Sequence, residues 1–339
     1  MNKPLSAARI ISAVILPSLL VTLACYDADF ARADTLYAVD PYYGIEMFTS
    51  TGVRSQLVAT NNPGSPQAIA FDASGSLYVS EFEGGAIYKL NSGAFTQISP
   101  TGVSGSIGFD TAGDLYAIRA DNSILYKITP IGGITTVATG VGSIPKGVVV
   151  DGSDNAFVSL NQQPGHPIVK IDTHGNQTTF FSGLSHGVYE PDAMAFDKSG
   201  NLYAVFDLTG VIEKIDPSGN GTFFGQLPYD PTSLAPAMSQ SGIAIDSAGD
   251  VFVSAYGAPA SADYGNQDDG IYKFTPNGAI SLFAEPVGRE GYWGLAFAPD
   301  TSNSSDTPEP GSFALLFGAT IVGLGIIARR SRFSPRERS

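Results

Sequence analysis

From residue 35 to 299 the apolar positions fall in short runs separated by polar turns, and the whole pattern returns at regular intervals. The recurring unit reads small–apolar–apolar–Phe–Asp–x–x–Gly–x–Leu–Tyr–Val. It appears as Ile69-Ala70-Phe71-Asp72 with Gly75 and Leu77-Tyr78-Val79, and again as Ile107-Gly108-Phe109-Asp110 with Gly113 and Leu115-Tyr116-Ala117. Further copies are Val148-Val149-Val150-Asp151 with Ala156-Phe157-Val158, Met194-Ala195-Phe196-Asp197 with Gly200 and Leu202-Tyr203-Ala204, and Ile243-Ala244-Ile245-Asp246 with Gly249 and Val251-Phe252-Val253. The aspartates are 38, 41, 46 and 49 residues apart. Short apolar runs bounded by Asp and Gly predict strands. A period of this length predicts a repeat architecture.

Each copy continues in register. A third strand holds Ile87-Tyr88-Lys89, Leu125-Tyr126-Lys127, Val169-Lys170, Glu213-Lys214 and Ile271-Tyr272-Lys273. A second turn ends in Gly93, Gly132, Gly175, Gly219 or Gly278, and a fourth strand follows, as in Ile134-Thr135-Thr136-Val137. In the Asp-x-x-Gly turns the aspartate bonds back to nearby backbone and the glycine accepts positive φ. The third copy puts Asp154 where the others have glycine, and Asp tolerates that conformation better than most residues. The lysines recur at one strand position, which predicts a structural role with the stem over apolar surface and the ammonium in water.

The ends of the array predict its topology. Thr35-Leu36-Tyr37-Ala38 matches the second strand of a copy, and the missing first strand appears at Gly294-Leu295-Ala296-Phe297. The expectation is therefore an all-β, six-bladed β-propeller over residues 34–300, closed by a C-terminal strand that completes the N-terminal blade. Closure removes the free terminal edge.

These Phe-Asp-x-x-Gly-x-Leu-Tyr-Val units resemble the NHL and SMP-30/gluconolactonase-like six-bladed propellers over roughly residues 35–299. The lactonases of that group hold a divalent cation at the channel mouth with Glu, Asn and Asp side chains. The matching positions here are Gln67, Gly105, Lys146, Asp192, Ser241 and Trp293. One carboxylate beside a lysine does not make the oxygen-rich set a hard cation needs.

The two ends carry address signals. Residues 1–33 read as a signal peptide, with Lys3 and Arg9 before the uncharged apolar run Ile10–Ala24 and a small-x-small cleavage site at Ala31 and Ala33. Residues 301–311 form a linker containing Pro308-Glu309-Pro310. Residues 312–328 form an apolar segment of transmembrane-helix type, and residues 329–339 a basic tail beginning Arg329-Arg330. Motif, short span and basic stop together resemble a PEP-CTERM sorting tail. That resemblance implies an exosortase-type sorting machinery as partner, tethering to the inner membrane through the C-terminal helix, then delivery to the cell surface or extracellular matrix.

Charge agrees with an exported, soluble body. Residues 34–310 hold 29 acidic and 10 basic side chains, a net of −19, which excludes nucleic acid as a partner because phosphate contact needs clustered cations. Cys25 is the one cysteine, so thiolate metal sites and disulfide frameworks are excluded.

Strand alternation places the tight turns at one end of the ring and the longer connections 161–167, 182–192, 225–241, 256–270 and 285–293 at the other, where binding usually sits. Tyr229, Tyr256, Tyr264, Tyr292 and Trp293 on those connections form a candidate ligand face. Rings beside carboxylates suit sugars. His186, Glu190 and Asp192 are the candidate catalytic set if the chain is a hydrolase or lyase. Asp263, Asp268 and Asp269 form a weak calcium candidate that lacks the spacing of a calcium loop. No nucleophile elbow or His-Glu-x-x-His helix occurs. The expected role is a non-catalytic binding or scaffold module for exopolysaccharide or an envelope protein, with no required cofactor.

Overall fold

The computed structural model describes residues 35–299 except 42, 59–63, 83, 92, 103–104, 119–121, 162–166, 183–189, 207–208, 229–241, 256–269 and 286–290. The described chain forms six four-stranded antiparallel sheets. Blade 1 is assembled from both ends, in the order Gly294–Phe297, Leu36–Asp40, Gly44–Phe48, Arg54–Val58. Blade 2 runs Pro66–Phe71, Leu77–Glu81, Ile87–Asn91, Ala94–Gln97, and blade 3 runs Ser106–Phe109, Leu115–Ile118, Leu125–Ile128, Ile134–Ala138. Blade 4 is Pro145–Val150, Ala156–Leu160, Ile168–Ile171, Gln177–Phe181. Blade 5 is Pro191–Phe196, Leu202–Phe206, Val211–Ile215, Gly221–Gln226. Blade 6 is Ile243–Ile245, Val251–Ala255, Gly270–Phe274, Ile280–Ala284. This is the six-bladed propeller the repeat predicts, and the closing strand pairs as expected, Leu36 opposite Phe297 and Val39 opposite Gly294.

Second strands are buried on both sides, which explains their unbroken apolar runs. Leu77, Tyr78, Val79 and Ser80 are all buried, as are Leu202 through Phe206. The core is not one mass but a series of apolar layers between neighbouring blades. Tyr78 and Ile87 of blade 2 pack against Ile107, Leu115 and Ile128 of blade 3. Leu36 and Phe48 of blade 1 pack against Phe252 and Ile271 of blade 6, so the layers close the ring.

The first hairpin of each repeat is built as its sequence predicts. Asp72 Oδ1 accepts the N–H groups of Ser74 and Ser76 at 2.9 Å, its carbonyl accepts Gly75 N–H at 3.0 Å, and Gly75 has φ +83°. Asp154 does adopt positive φ, at +62°, and its carboxylate accepts the N–H and Oγ1–H of Thr111 in the neighbouring blade at 2.9 and 2.8 Å.

The repeat lysines depart from expectation. Their ammonium groups are not simply in water: each lies over the aromatic ring of the second strand and beside an aspartate of the first turn. Lys89 sits 4.9 Å from the Tyr78 ring centre and 3.6 Å from Asp72. Lys127 reaches both Asp110 and Asp114 at 2.8 Å over Tyr116. Lys170, Lys214 and Lys273 repeat the arrangement over Phe157, Tyr203 and Phe252. Blade 1 has Met47 at this register, opposite Tyr37.

The signal and cleavage site at Ala31 and Ala33, the motif Pro308-Glu309-Pro310, the apolar segment 312–328 and Arg329-Arg330 lie outside the described residues. Among the described residues no helix is long and apolar enough to cross a membrane.

Candidate ligand site at the mouth of the central channel

The first strand of every blade is a sheet edge, so six edges line the axis with backbone N–H and C=O groups not used in sheet pairing on that side. At the end where the longer connections lie, three of these strands begin with proline and then slip register. The pairing jumps between Pro66 and Ala68, between Pro145 and Val148, and between Pro191 and Ala193. Gln67, Lys146 and Asp192 are therefore bulge residues, and a bulge re-aims the side chain it carries. All three line a central cavity of about 500 Å³, together with Gly105, Phe82, Ile144, Gly242 and Trp293.

Buried serines hold two of the bulged strands, in blades 2 and 4, and the start of the first strand of blade 6. The N–H of Gly147 donates to Ser159 Oγ at 2.9 Å, and that of Ala68 to Ser80 Oγ at 3.1 Å, while the Ser80 hydroxyl donates to the Gly105 carbonyl of the next blade at 2.7 Å. Gly242 N–H donates to Ser254 Oγ at 2.6 Å. Sequence reasoning missed these serines. Their signal is the dipeptide Val-Ser at one repeat position: Val79-Ser80, Val158-Ser159 and Val253-Ser254.

Ser65 and Ile144, each preceding a proline, have φ of +43° and +50°. For a β-branched residue this is a strained conformation, of a kind that clusters at ligand sites. It leaves the Ile144 side chain 48% exposed at the cavity wall.

Polar and aromatic groups occupy different parts of the rim. Lys146 Nζ lies 3.8 Å from Asp192 and 4.0 Å from Glu190, ion pairs beyond hydrogen-bond length. Across the ring, Phe82 of blade 2 meets Trp293 at the start of blade 1 edge to face, centroids 5.7 Å apart and planes at 76°. Phe82 is 52% exposed. The backbone N–H of Phe82 donates to Ser65 O and that of Trp293 to Val39 O, which anchors both rings to the scaffold.

Of the five candidate ligand-face aromatics, Trp293 lines the cavity and Tyr292 does not. Tyr292 is fully buried, packed edge to face on Phe48, with its hydroxyl on Glu46; the ring points between blades rather than outward. Tyr229, Tyr256 and Tyr264 lie outside the described residues, as do His186 and the calcium candidates Asp263, Asp268 and Asp269. Glu190 and Asp192 come together through Lys146. Phe82 was not anticipated, because it sits on a short connection rather than a long one.

Of the six positions that the lactonase resemblance implies, five line the cavity, and Gly242 adjoins the sixth, Ser241. The donor set does not fit a hard divalent cation, since the Lys146 ammonium stands 3.8 Å from the one carboxylate among the five. Among the described residues no group of three or more His, Cys, Asp or Glu side chains could hold a metal ion.

No family model and no curated protein matches this chain. Solved structures do. A virginiamycin B lyase from Staphylococcus aureus superposes with TM-score 0.55 at 16% identity, covering 76% of this chain and 83% of the other. A protein of unknown function from Bacteroides caccae gives TM-score 0.58 at 10% identity, covering 78% and 98%. A proposed gluconolactonase gives TM-score 0.51 at 14% identity, covering 69% and 81%. These likenesses establish a shared fold: a six-bladed propeller with neighbours of hydrolase, lyase and unknown function.

Proposed function

We propose that this chain is an exported propeller that binds a saccharide at the mouth of its central channel without transforming it. The observation that carries the reading is the pair Phe82 and Trp293, an edge-to-face aromatic contact at 5.7 Å standing at the rim with Phe82 half in water. A half-exposed ring beside a partly buried one at a channel entrance suits the C–H faces of sugar rings. The strand edges, Gln67 and the Lys146–Asp192–Glu190 group supply donors and acceptors for hydroxyls. A cavity of about 500 Å³ falls in the range that takes small ligands.

The address signals supply the setting. Export through the segment ending at Ala33, then sorting of the tail at Pro308-Glu309-Pro310 by an exosortase-type machinery, would bring the propeller to the surface matrix, where saccharides abound. Mass spectrometry of the mature ends tests this: an N-terminus other than Asp34 removes the proposed cleavage.

Trp293 is the single tryptophan of the chain, so its emission reports on the mouth. The full chain is titrated with neutral and charged oligosaccharides while Trp293 emission is followed. A saturable change, weakened by Phe82→Ala, is expected. If no saccharide moves the emission, the reading fails.

A second reading makes the chain a hydrolase or lyase acting at the same mouth with His186, Glu190 and Asp192. Its support is the convergence of Glu190 and Asp192 on one lysine. Turnover of lactones with added divalent metal, abolished by Asp192→Asn, would replace the binding reading.

A further inference from the structure

Ile144 stands at the mouth in a crowded conformation that burial does not offset. A φ of +50° crowds its branched Cβ, yet the residue is 48% exposed at the cavity wall. Ser65 takes the same conformation in blade 2, so a small polar residue satisfies this turn. The backbone fixes the conformation in both blades: Ile144 O accepts the N–H of Asn161 at 3.1 Å, as Ser65 O accepts that of Phe82. The aliphatic side chain is therefore presented to the cavity rather than packed into the fold, and strain of this kind is kept where it serves a site.

Two neighbours share its sector of the wall. Lys146 sits on the bulge that follows Pro145 and lines the same cavity. Its ammonium stands 3.8 Å from Asp192 and 4.0 Å from Glu190, beyond hydrogen-bond length, so it can donate to a ligand oxygen. Two carboxylates beside one ammonium disfavour an anionic acceptor there and favour a neutral one. On the other flank Ser106 Oγ accepts the N–H of Val148 at 3.0 Å, which sets the first strands of blades 3 and 4 side by side. Gly105, which precedes Ser106 and brings no side chain, lines the cavity there. An apolar contact beside a donor matches an acetyl group, in which a methyl and a carbonyl oxygen hang on one carbon. We infer that the saccharide taken at the mouth carries acetyl groups, N-linked or O-linked, whose methyl meets Ile144 and whose carbonyl oxygen accepts from Lys146. This inference rests on the saccharide reading above and narrows it.

The test uses the full chain, Trp293 emission and three tetramers of the same linkage: a glucose tetramer, its O-acetylated form, and an N-acetylglucosamine tetramer. Burial of a methyl on Ile144 is expected to make at least one acetylated tetramer bind about fourfold tighter than the plain one. Which of the two gains distinguishes an ester from an amide source. Ile144→Asn suits positive φ and removes the apolar branch, so it should bring that ratio to about one without lowering the urea midpoint. Lys146→Met removes the donor to the carbonyl oxygen and should lower the ratio as well. A ratio of one in the parent chain, or a ratio that survives either variant, overturns the acetyl reading and leaves the saccharide site standing. A midpoint of Ile144→Asn well below the parent's shows that Ile144 packs the fold, and overturns it too. Silence of Trp293 toward all three tetramers overturns both readings.

Discussion

The hydroxyl of Tyr292 donates a 2.8 Å hydrogen bond to Oε2 of Glu46, between residues 246 positions apart in the chain. Glu46 lies on the third strand of blade 1, and Tyr292 lies just before the strand that completes that blade from the far end of the chain. Arg54 approaches the other carboxylate oxygen at 3.2 Å, and the Tyr292 ring packs on Phe48. Strand pairing closes the ring through backbone; this contact closes it through side chains.

Tyr292→Phe keeps the ring contact with Phe48 and removes only the hydroxyl. Glu46 is 3% exposed, so it loses a donor where water cannot readily replace it. We expect a loss of about 1–3 kcal/mol in unfolding free energy, read from urea titrations of variant and parent. Unchanged midpoints would mean that backbone pairing alone holds the seam.

Stability is also expected to fall in alkali. Burial pushes the Tyr292 phenol well above the usual tyrosine range, and the neighbouring Glu46 carboxylate pushes it further. Burial also raises Tyr37, Tyr78 and Tyr116. In the unfolded chain these phenols ionise near pH 10. Above that pH the unfolded state releases protons that the folded state retains. The stability these groups contribute is therefore complete below about pH 10 and is lost as pH rises beyond it. Urea midpoints measured on either side of pH 10 check the sign. Tyr292→Phe should flatten the fall.

The repeat lysines should differ in weight although they share a position. Lys127 bonds Asp110 and Asp114, both at 2.8 Å, and the Asp110 side chain is 1% exposed. Burial works against the Lys127 charge, but the two aspartates outweigh it and hold the ammonium above its usual range. Lys170 stands 3.9 Å from Asp151, with both groups partly in water. Lys127→Met leaves a buried carboxylate without its cation and should cost about 1–3 kcal/mol. Lys170→Met should cost less than about 1 kcal/mol. Thermal melts that rank them the other way would refute the argument from burial.

Much of this fold was legible in the sequence because a repeat reports each structural demand several times. The Asp-x-x-Gly turns, the split first blade and the positive φ of Asp154 all follow from comparing copies. What the copies do not share was harder to read. Tyr292 looked like a loop aromatic; its inward turn depends on Glu46, a residue outside the repeat consensus and distant in sequence. Phe82 marks the rim because a blade on the far side of the chain's seam supplies Trp293 beside it, a juxtaposition only ring closure creates. The lysine heads are not legible from a strand pattern, which does not show that the first turn sets its carboxylate beside an ammonium lying over the aromatic neighbour.

Glycines at the two kinds of turn should respond differently to the same substitution. Gly113, in a first turn, has φ +82° and open space where a Cβ would be. Gly219, in a second turn, has nearly the same φ, +86°, but a Cβ there would run into the carbonyl oxygen of Phe180 on the outer strand of the preceding blade. The relation recurs: Gly175 faces Val137 O at 2.6 Å, Gly278 faces Phe224 O at 2.9 Å, and Gly52 faces Phe283 O across the closing seam. Four of the six second turns thus lean on the previous blade, whereas Gly132 keeps ordinary contact distance from Ile98 O and Gly93, like the first-turn Gly113, has open space. Gly113→Ala should cost about 1–2 kcal/mol, the penalty of a left-handed backbone for an L-residue. Gly219→Ala adds a clash that only a shift between blades relieves, so it should cost more and should also broaden amide signals of Phe180 and its neighbours in blade 4. Equal melting temperatures for the two variants would show that the turns act locally and that the blades are not held in register by these contacts.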